Sequence, residues 1–134
     1  MDSIKFGIIG CSRIAKRSVI PAILKSEFAE LEMIGSRTQE KSKEFANEFN
    51  CKKYGTYDDV ISDDSIDAVY ISTPIGTHAK WSNKAASAGK HVYCEKPLAH
   101  EVADARAMAM AAAKTGVVTQ MGNQIQSSIE YRSA

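Results

Sequence analysis

Short apolar runs alternate along this chain with longer stretches whose apolar positions recur at helical spacing, and the alternation continues over most of its length. The runs predict strands at Ile4 to Ile9, Leu31 to Gly35, Cys51 to Tyr54, Asp67 to Ser72, His91 to Cys94 and Val117 to Met121. Between them, a helix after Ser12 places Ile14, Val19, Ile20 and Ile23 inward, and Pro21 predicts its division into two short pieces. Thr38 is positioned to cap a helix bearing Phe45, Ala46 and Phe49, and Thr56-Tyr57-Asp58-Asp59 has the form of a capping box opening one turn through Ile61. Trp81, Ala85 and Ala88 mark a further helix that stops at Gly89. A long Ala- and Met-rich helix from about Glu101 ends at Gly116, with Val102, Ala105, Met108, Ala109 and Ala112 as its packing face.

Strands alternating with helices specify an α/β fold with a buried parallel sheet. The first strand is almost wholly apolar, as a strand covered on both faces must be, so it belongs in the middle. The expected architecture is a Rossmann-type doubly wound parallel sheet with strand order 3-2-1-4-5-6 over residues 1–122. Residues 123–134 form a polar tail with no clear element, readable as the start of a further domain.

Composition narrows the partners. The net charge of +1 and the 25% charged residues offer no basis for nucleic-acid binding or an anionic membrane. Cys11, Cys51 and Cys94 are widely separated and form no C-x-x-C pair, so neither a disulfide framework nor a metal site is expected. With no export signal and no membrane-spanning run, the expected location is cytoplasmic.

Ligands of such sheets bind beyond the carboxyl ends of the strands. The first strand ends in Gly10-Cys11-Ser12-Arg13-Ile14-Ala15, where Gly10, Ser12 and Ala15 hold the three places of the dinucleotide fingerprint G-x-G-x-x-G/A. Ser12 stands where the second glycine is usual, and its hydroxyl is placed to donate to a phosphate in compensation. Other strands end in Ser36-Arg37, Ser72-Thr73-Pro74, Glu95-Lys96-Pro97 and Gly122-Asn123-Gln124. Any one of these is an ordinary polar loop; together they favour a site.

Gly7 to Ala15, Ser72-Thr73-Pro74 with His78, and Ala88-Gly89-Lys90-His91-Val92-Tyr93-Cys94-Glu95-Lys96-Pro97-Leu98 resemble the Gfo/Idh/MocA oxidoreductase family. The last block is the specific one, similar to that family's AGKHV-x-x-EKP-L signature at every fixed position. The resemblance covers about Ile4 to Gln124, the family's cofactor domain, and no segment here matches its second, substrate domain. It implies an NAD(P)-dependent dehydrogenase or reductase acting on a sugar, cyclitol or related polyol or keto compound, and leaves open whether a full-length chain forms a homo-oligomer. A nucleotide-binding module or cofactor domain without turnover of its own is the alternative.

On this reading Lys96 is the catalytic group, a cation able to hydrogen-bond a substrate oxygen, and Pro97 stiffens its turn. Glu95 orients the ammonium or the cofactor; His78 either contacts substrate or ribose or merely sits at a helix start. The second strand ends without the Asp or Glu that holds a ribose 2′-hydroxyl. Ser36, Arg37 and Lys41 instead suit a 2′-phosphate, so NADP(H) is favoured over NAD(H). The cofactor-binding set is therefore Gly10, Ser12, Arg13, Ile14, Ser36, Arg37, Lys41, Ser72, Thr73, Pro74, His78, Glu95, Lys96 and Asn123. Cys11 is either an oxidisable thiol beside the phosphate turn or a small buried one.

Overall fold

The computed structural model describes residues 2–133. Its strands are β1 (Ile4–Ile9), β2 (Ala29–Gly35), β3 (Lys53–Gly55), β4 (Ala68–Ile71), β5 (His91–Glu95) and β6 (Thr119–Gly122). All neighbouring pairs are parallel, in the order β3-β2-β1-β4-β5-β6. This is the doubly wound order read from the alternation of elements. Ile8 and Ile9, both fully buried, point to opposite faces of β1 and join the two halves of the core.

Two glycines set how closely the helical layer approaches. A Cβ on Gly7 would lie 2.5 Å from Val60 Cγ1, and one on Gly35 would lie 2.7 Å from Val60 Cγ2. Val60 belongs to α3 (Tyr57–Ser62), which the capping box of Thr56 and Asp59 opens as the sequence indicates. The bare backbones of β1 and β2 thus form the seat for one valine.

The helix after β1 comes in two short pieces that meet beside Pro21, as the sequence predicts. Backbone of π-type winding, Ala15–Val19, runs on into α1 (Ile20–Lys25), with Pro21 in its first turn. Wider winding ahead of the proline removes the demand for its missing i→i−4 bond, so the two pieces join through a bulge. Ile14, expected inward, is 39% exposed at the helix start.

Helix α2 (Gln39–Glu48) is capped by Thr38, whose hydroxyl accepts from Lys41 N. β3 begins later than expected because Cys51 N still bonds Ala46 O, closing the end of α2. Helix α4 (His78–Ser87) buries His78, Ala79, Ser82, Ala85 and Ala86, leaving Ala88 as an exposed cap. Helix α5 (Val102–Thr115) has no fully buried residue, and Val102, assigned to its packing face, is 77% exposed. Ala109 is exposed as well, and the half-buried side is Ala105, Met108, Ala111 and Ala112. The helix packs chiefly on α4, so its contact stripe is narrow and rotated. β6 likewise starts at Thr119, because Val118 N is spent on His91 Nδ1. The tail adds a 3-10 turn, Gln124–Ser127, and one turn of helix, α6 (Ile129–Arg132).

Polar groups secure the loop before β4. Lys90, buried, donates to Asp63 O at 2.7 Å and Ile66 O at 2.8 Å. The Lys53 ammonium lies 2.8 Å from Glu32 and 2.9 Å from Asp63, and its hydrogen bond, with those of Ser65, brings the Asp63 carboxyl down to about 2. The unfolded chain titrates this group near 3.8, so the cluster contributes fully above that pH and loses its contribution as pH falls toward 2. Asp63→Asn is expected to flatten the acid limb of a urea-unfolding series between about pH 4 and 2. Stability at neutral pH should fall by only about 1 kcal/mol or less, since the pair is partly solvated. An unchanged acid limb would show that the pair carries no pH-dependent stability.

Candidate functional site

The carboxyl ends of β1, β2 and β4 meet at a groove of about 700 Å³. Of the residues selected from sequence, Gly10, Ser12, Ser36, Arg37, Lys41, Ser72, Thr73 and Pro74 line it together. Its floor depends on Gly10. That residue has φ +112°, and a Cβ there would lie 3.0 Å from Ser72 C and 3.1 Å from Thr73 N. Only glycine permits both the conformation and the approach of β1 to β4. Gly10 N donates to Gly35 O at 3.1 Å and Ser72 N to Ile9 O at 3.0 Å, tying three strand ends into one floor.

Ser12 serves this turn differently from the sequence expectation. Its Oγ accepts from Ala15 N at 3.1 Å, capping the first helical turn, and lies 2.7 Å from Ser72 Oγ. Ser72 Oγ donates to Gly10 O at 3.1 Å, so the proton between the two serines comes from Ser12. The hydroxyl is therefore turned into the protein and leaves no proton for a phosphate. The anion-holding capacity of the turn rests on the first-turn amides of the helix that Arg13 and Ile14 open. Both of those side chains are exposed, and neither lines the groove.

At the other end Ser36 is buried, its N bonded to Gly55 O, while Arg37 is exposed. Lys41 stands one helical turn on, 3.5 Å from Glu44 and 5.4 Å from the centre of the Phe45 ring. Among the described residues no acid lines the groove. Cys11 lies between the two ends, and burial pushes its thiol up to about 11, so it is a neutral packing group and not a reactive thiolate.

An adjoining cleft of about 390 Å³ was not foreseen. Arg37, Tyr57, Pro74, Thr77, Lys80 and Trp81 are among its walls. Tyr57 and Trp81 meet edge to face at 4.9 Å, and Lys80 lies 4.8 Å from the Trp81 ring centre. In sequence Trp81 reads only as a packing position; nothing local shows that α3 and α4 turn their aromatics toward the same loop.

Glu95 and Lys96 end β5 on the far side of β4. Glu95 Oε2 accepts from Tyr70 OH at 2.7 Å, and burial together with that carboxylate pushes the Tyr70 phenol far above its ordinary range. Lys96 is exposed, and among the described residues no hydrogen bond or ion pair engages its Nζ. The Lys96–Pro97 peptide is cis. His78 is buried beneath this turn. Its Nδ1 lies 3.0 Å from Pro97 O and its Nε2 2.8 Å from Thr73 O, so both nitrogens face main-chain carbonyls, and a single ring N–H donates to one of them at a time. Thr77 Oγ1 lies 2.8 Å from Thr73 Oγ1 and from Pro74 O, fixing the loop above. Asn123 follows β6, its N bonded to Met121 O, next to Gly122, which pairs with Glu95. Among the described residues no cluster of three or more His, Cys, Asp or Glu is arranged to hold a metal ion.

This arrangement has counterparts among known proteins. Residues 4–123 match the GFO_IDH_MocA family, described as an oxidoreductase family with an NAD-binding Rossmann fold. Over 94 residues the chain is 47% identical to D-xylose 1-dehydrogenase (NADP(+)) 2 of Haloferax volcanii, covering 69% of this chain and 29% of that protein. Over 116 residues it is 37% identical to dTDP-3,4-didehydro-2,6-dideoxy-alpha-D-glucose 3-reductase of Streptomyces violaceoruber, covering 87% of this chain and 34% of that one. The crystal structure of KijD10, a 3-ketoreductase from Actinomadura kijaniata in complex with TDP-benzene and NADP, superposes with TM-score 0.93 at 31% identity, over 98% of this chain and 42% of that one. This chain thus spans about a third of the length of the curated relatives it matches. With the family match running from β1 through the end of β6, the chain belongs to the Gfo/Idh/MocA oxidoreductase family.

Proposed function

We propose that this chain is the cofactor-holding part of an NADP(H)-dependent oxidoreductase whose substrate is a sugar, cyclitol or related keto compound. The observation that carries the reading is the pairing, in one groove, of the Gly10 turn with a hydroxyl and two cations at Ser36, Arg37 and Lys41. A Cβ at Gly10 would strike the Ser72 and Thr73 main chain, so only glycine lets the turn close on its floor, and the far end offers a 2′-phosphate a bidentate partner. Residues of the turn and first helical amides would hold the diphosphate; Arg37 and Lys41 would hold the 2′-phosphate. The bound cofactor supplies hydride chemistry. Lys96, with a free ammonium beyond β5, would hold or supply the proton at the substrate oxygen and stabilise its developing negative charge. The named activities of the relatives, on xylose and on nucleotide-linked deoxysugars, support the substrate class. Free thiols at Cys11, Cys51 and Cys94 support a reducing, cytoplasmic setting.

Fluorescence titration of the chain with NADPH and NADH tests the cofactor assignment. NADPH is expected to bind at least about tenfold tighter, and Arg37→Ala to weaken NADPH about 10- to 100-fold, the worth of one charged hydrogen-bonded contact. NADH affinity should stay within about threefold. Tighter NADH binding, or an indifferent Arg37→Ala, would overturn it. A full-length gene product that binds NADPH but reduces no keto-sugar would favour a binding module without catalysis.

A further inference from the structure

We propose that Tyr70 and His78 are positioning residues for Lys96, a two-point clamp that locates the lysine through the main chain on either side of it. The inference rests on the reading of Lys96 given above and extends it to groups that touch neither substrate nor cofactor.

Lys96 Nζ has no partner of its own among the described residues, so its backbone decides where the ammonium can reach. That backbone is held on both sides. Before the lysine, the Tyr70 hydroxyl donates to the Glu95 carboxylate at 2.7 Å, a charge-assisted bond in a poorly solvated place. After it, His78 Nδ1 lies 3.0 Å from Pro97 O and 3.2 Å from Leu98 O. Tyr70 is 1% exposed and His78 is 2% exposed, and neither lines the groove. Removing either partner would leave a buried polar group unpaired, which is why such contacts hold geometry so firmly.

The source of the two anchors matters more than their number. Tyr70 lies on β4, two residues before Ser72, and side chains two apart share a face of a strand. His78 opens α4 and reaches back with its other nitrogen to Thr73 O at 2.8 Å. Ser72 and Thr73 are the floor against which Gly10 packs. Lys96 belongs to the β5 turn, but its distance from the phosphate end of the groove is set by β4. One strand end is the common reference for both.

Backbone and side-chain NMR of this chain, with NADP+ as the probe, tests the clamp. In the free chain the Lys96 amide is expected to show a rigid order parameter of about 0.85, falling below about 0.6 in Tyr70→Phe and in Glu95→Gln, which break the same bond from opposite ends. His78→Gln, whose amide reaches only one of the two carbonyls that the ring faces, should give an intermediate loss; it stands in for His78→Ala if that variant fails to fold. NADP+ affinity of Tyr70→Phe should stay within about threefold of the parent, because the phosphate and adenosine ends are untouched. At saturation the Lys96 side-chain shift should shrink to about half or less, a response that general loosening of the fold would not confine to one lysine. An unchanged Lys96 order parameter in both Tyr70→Phe and Glu95→Gln would overturn the proposal. If NADP+ leaves Lys96 unmoved in the parent chain, the catalytic reading of Lys96 fails instead, while the order parameters of the free chain still decide the clamp.

Discussion

Gly10→Val is expected to abolish NADP(H) binding and to lower stability by about 2–6 kcal/mol, the combined scale of a forced backbone conformation and of overpacking. At φ +112° a branched side chain is strained whatever space surrounds it, and here there is none. The atoms that a Cβ would strike, Ser72 C and O and Thr73 N, are main chain in the strand end beside it. A side chain can rotate away from an intruder; a strand end held by the Ser72 N to Ile9 O bond cannot without separating β1 from β4. Gly10→Ala should show a smaller loss of stability with most of the loss of binding. Urea unfolding and NADPH fluorescence on the same preparations measure the two effects separately. A Gly10→Val chain that binds NADPH like the parent would refute the place given to the turn.

Ile8→Ala is expected to cost about 2–5 kcal/mol, a substantial part of the roughly 5–15 kcal/mol that holds an ordinary domain together. Ile8 is fully buried in the cluster beneath α1 and α2, with Ile20, Ile34, Phe45 and Tyr70. Its truncation leaves a void in the middle of the sheet, where neighbouring strands limit collapse. It differs from Gly10→Val in what survives: NADPH affinity should persist at temperatures where the variant is folded. The midpoint of urea unfolding, with affinity measured well below it, checks both halves. Stability within about 0.5 kcal/mol of the parent would mean that the site can close over the missing atoms.

The contrast between these substitutions also marks what can be read from sequence. Gly10, Ser36, Arg37, Ser72 and Thr73 were recognisable because each ends a strand, and the doubly wound order places the ends of β1, β2 and β4 side by side. The burial of Ile8 was equally plain, since the first strand is apolar throughout. Long-range pairing was not legible. The bond from Tyr70 to Glu95 joins residues 25 apart, and His78 meets Pro97 O across 19. The first of the two lysines in the signature, Lys90, has no visible partner in sequence, and its ammonium caps carbonyls 24 and 27 residues away. Ser12 shows a subtler limit. Its position was correctly placed in the turn, but the direction of its hydroxyl depends on Ser72, which local sequence does not supply. The face of α5 was misjudged because periodicity says which residues align, not how much neighbouring surface there is to cover them.

The contact between Ser72 and Gly10 spans 62 positions of sequence, and this gives the site a history as well as a shape. A chain growing from its N-terminus makes β1, α1 and β2 first, and in that state the Gly10 turn has no floor. Only when β4 arrives to pair with β1 do Ser72 and Thr73 come beneath it, and only then can Ser12 find its partner. Contacts so distant in sequence are slow to close and pay their loop entropy before they return any stability. The ability to hold a nucleotide therefore emerges last among the properties of this half of the sheet, and a nascent chain stopped before residue 68 would carry the whole fingerprint without the β4 floor beneath it.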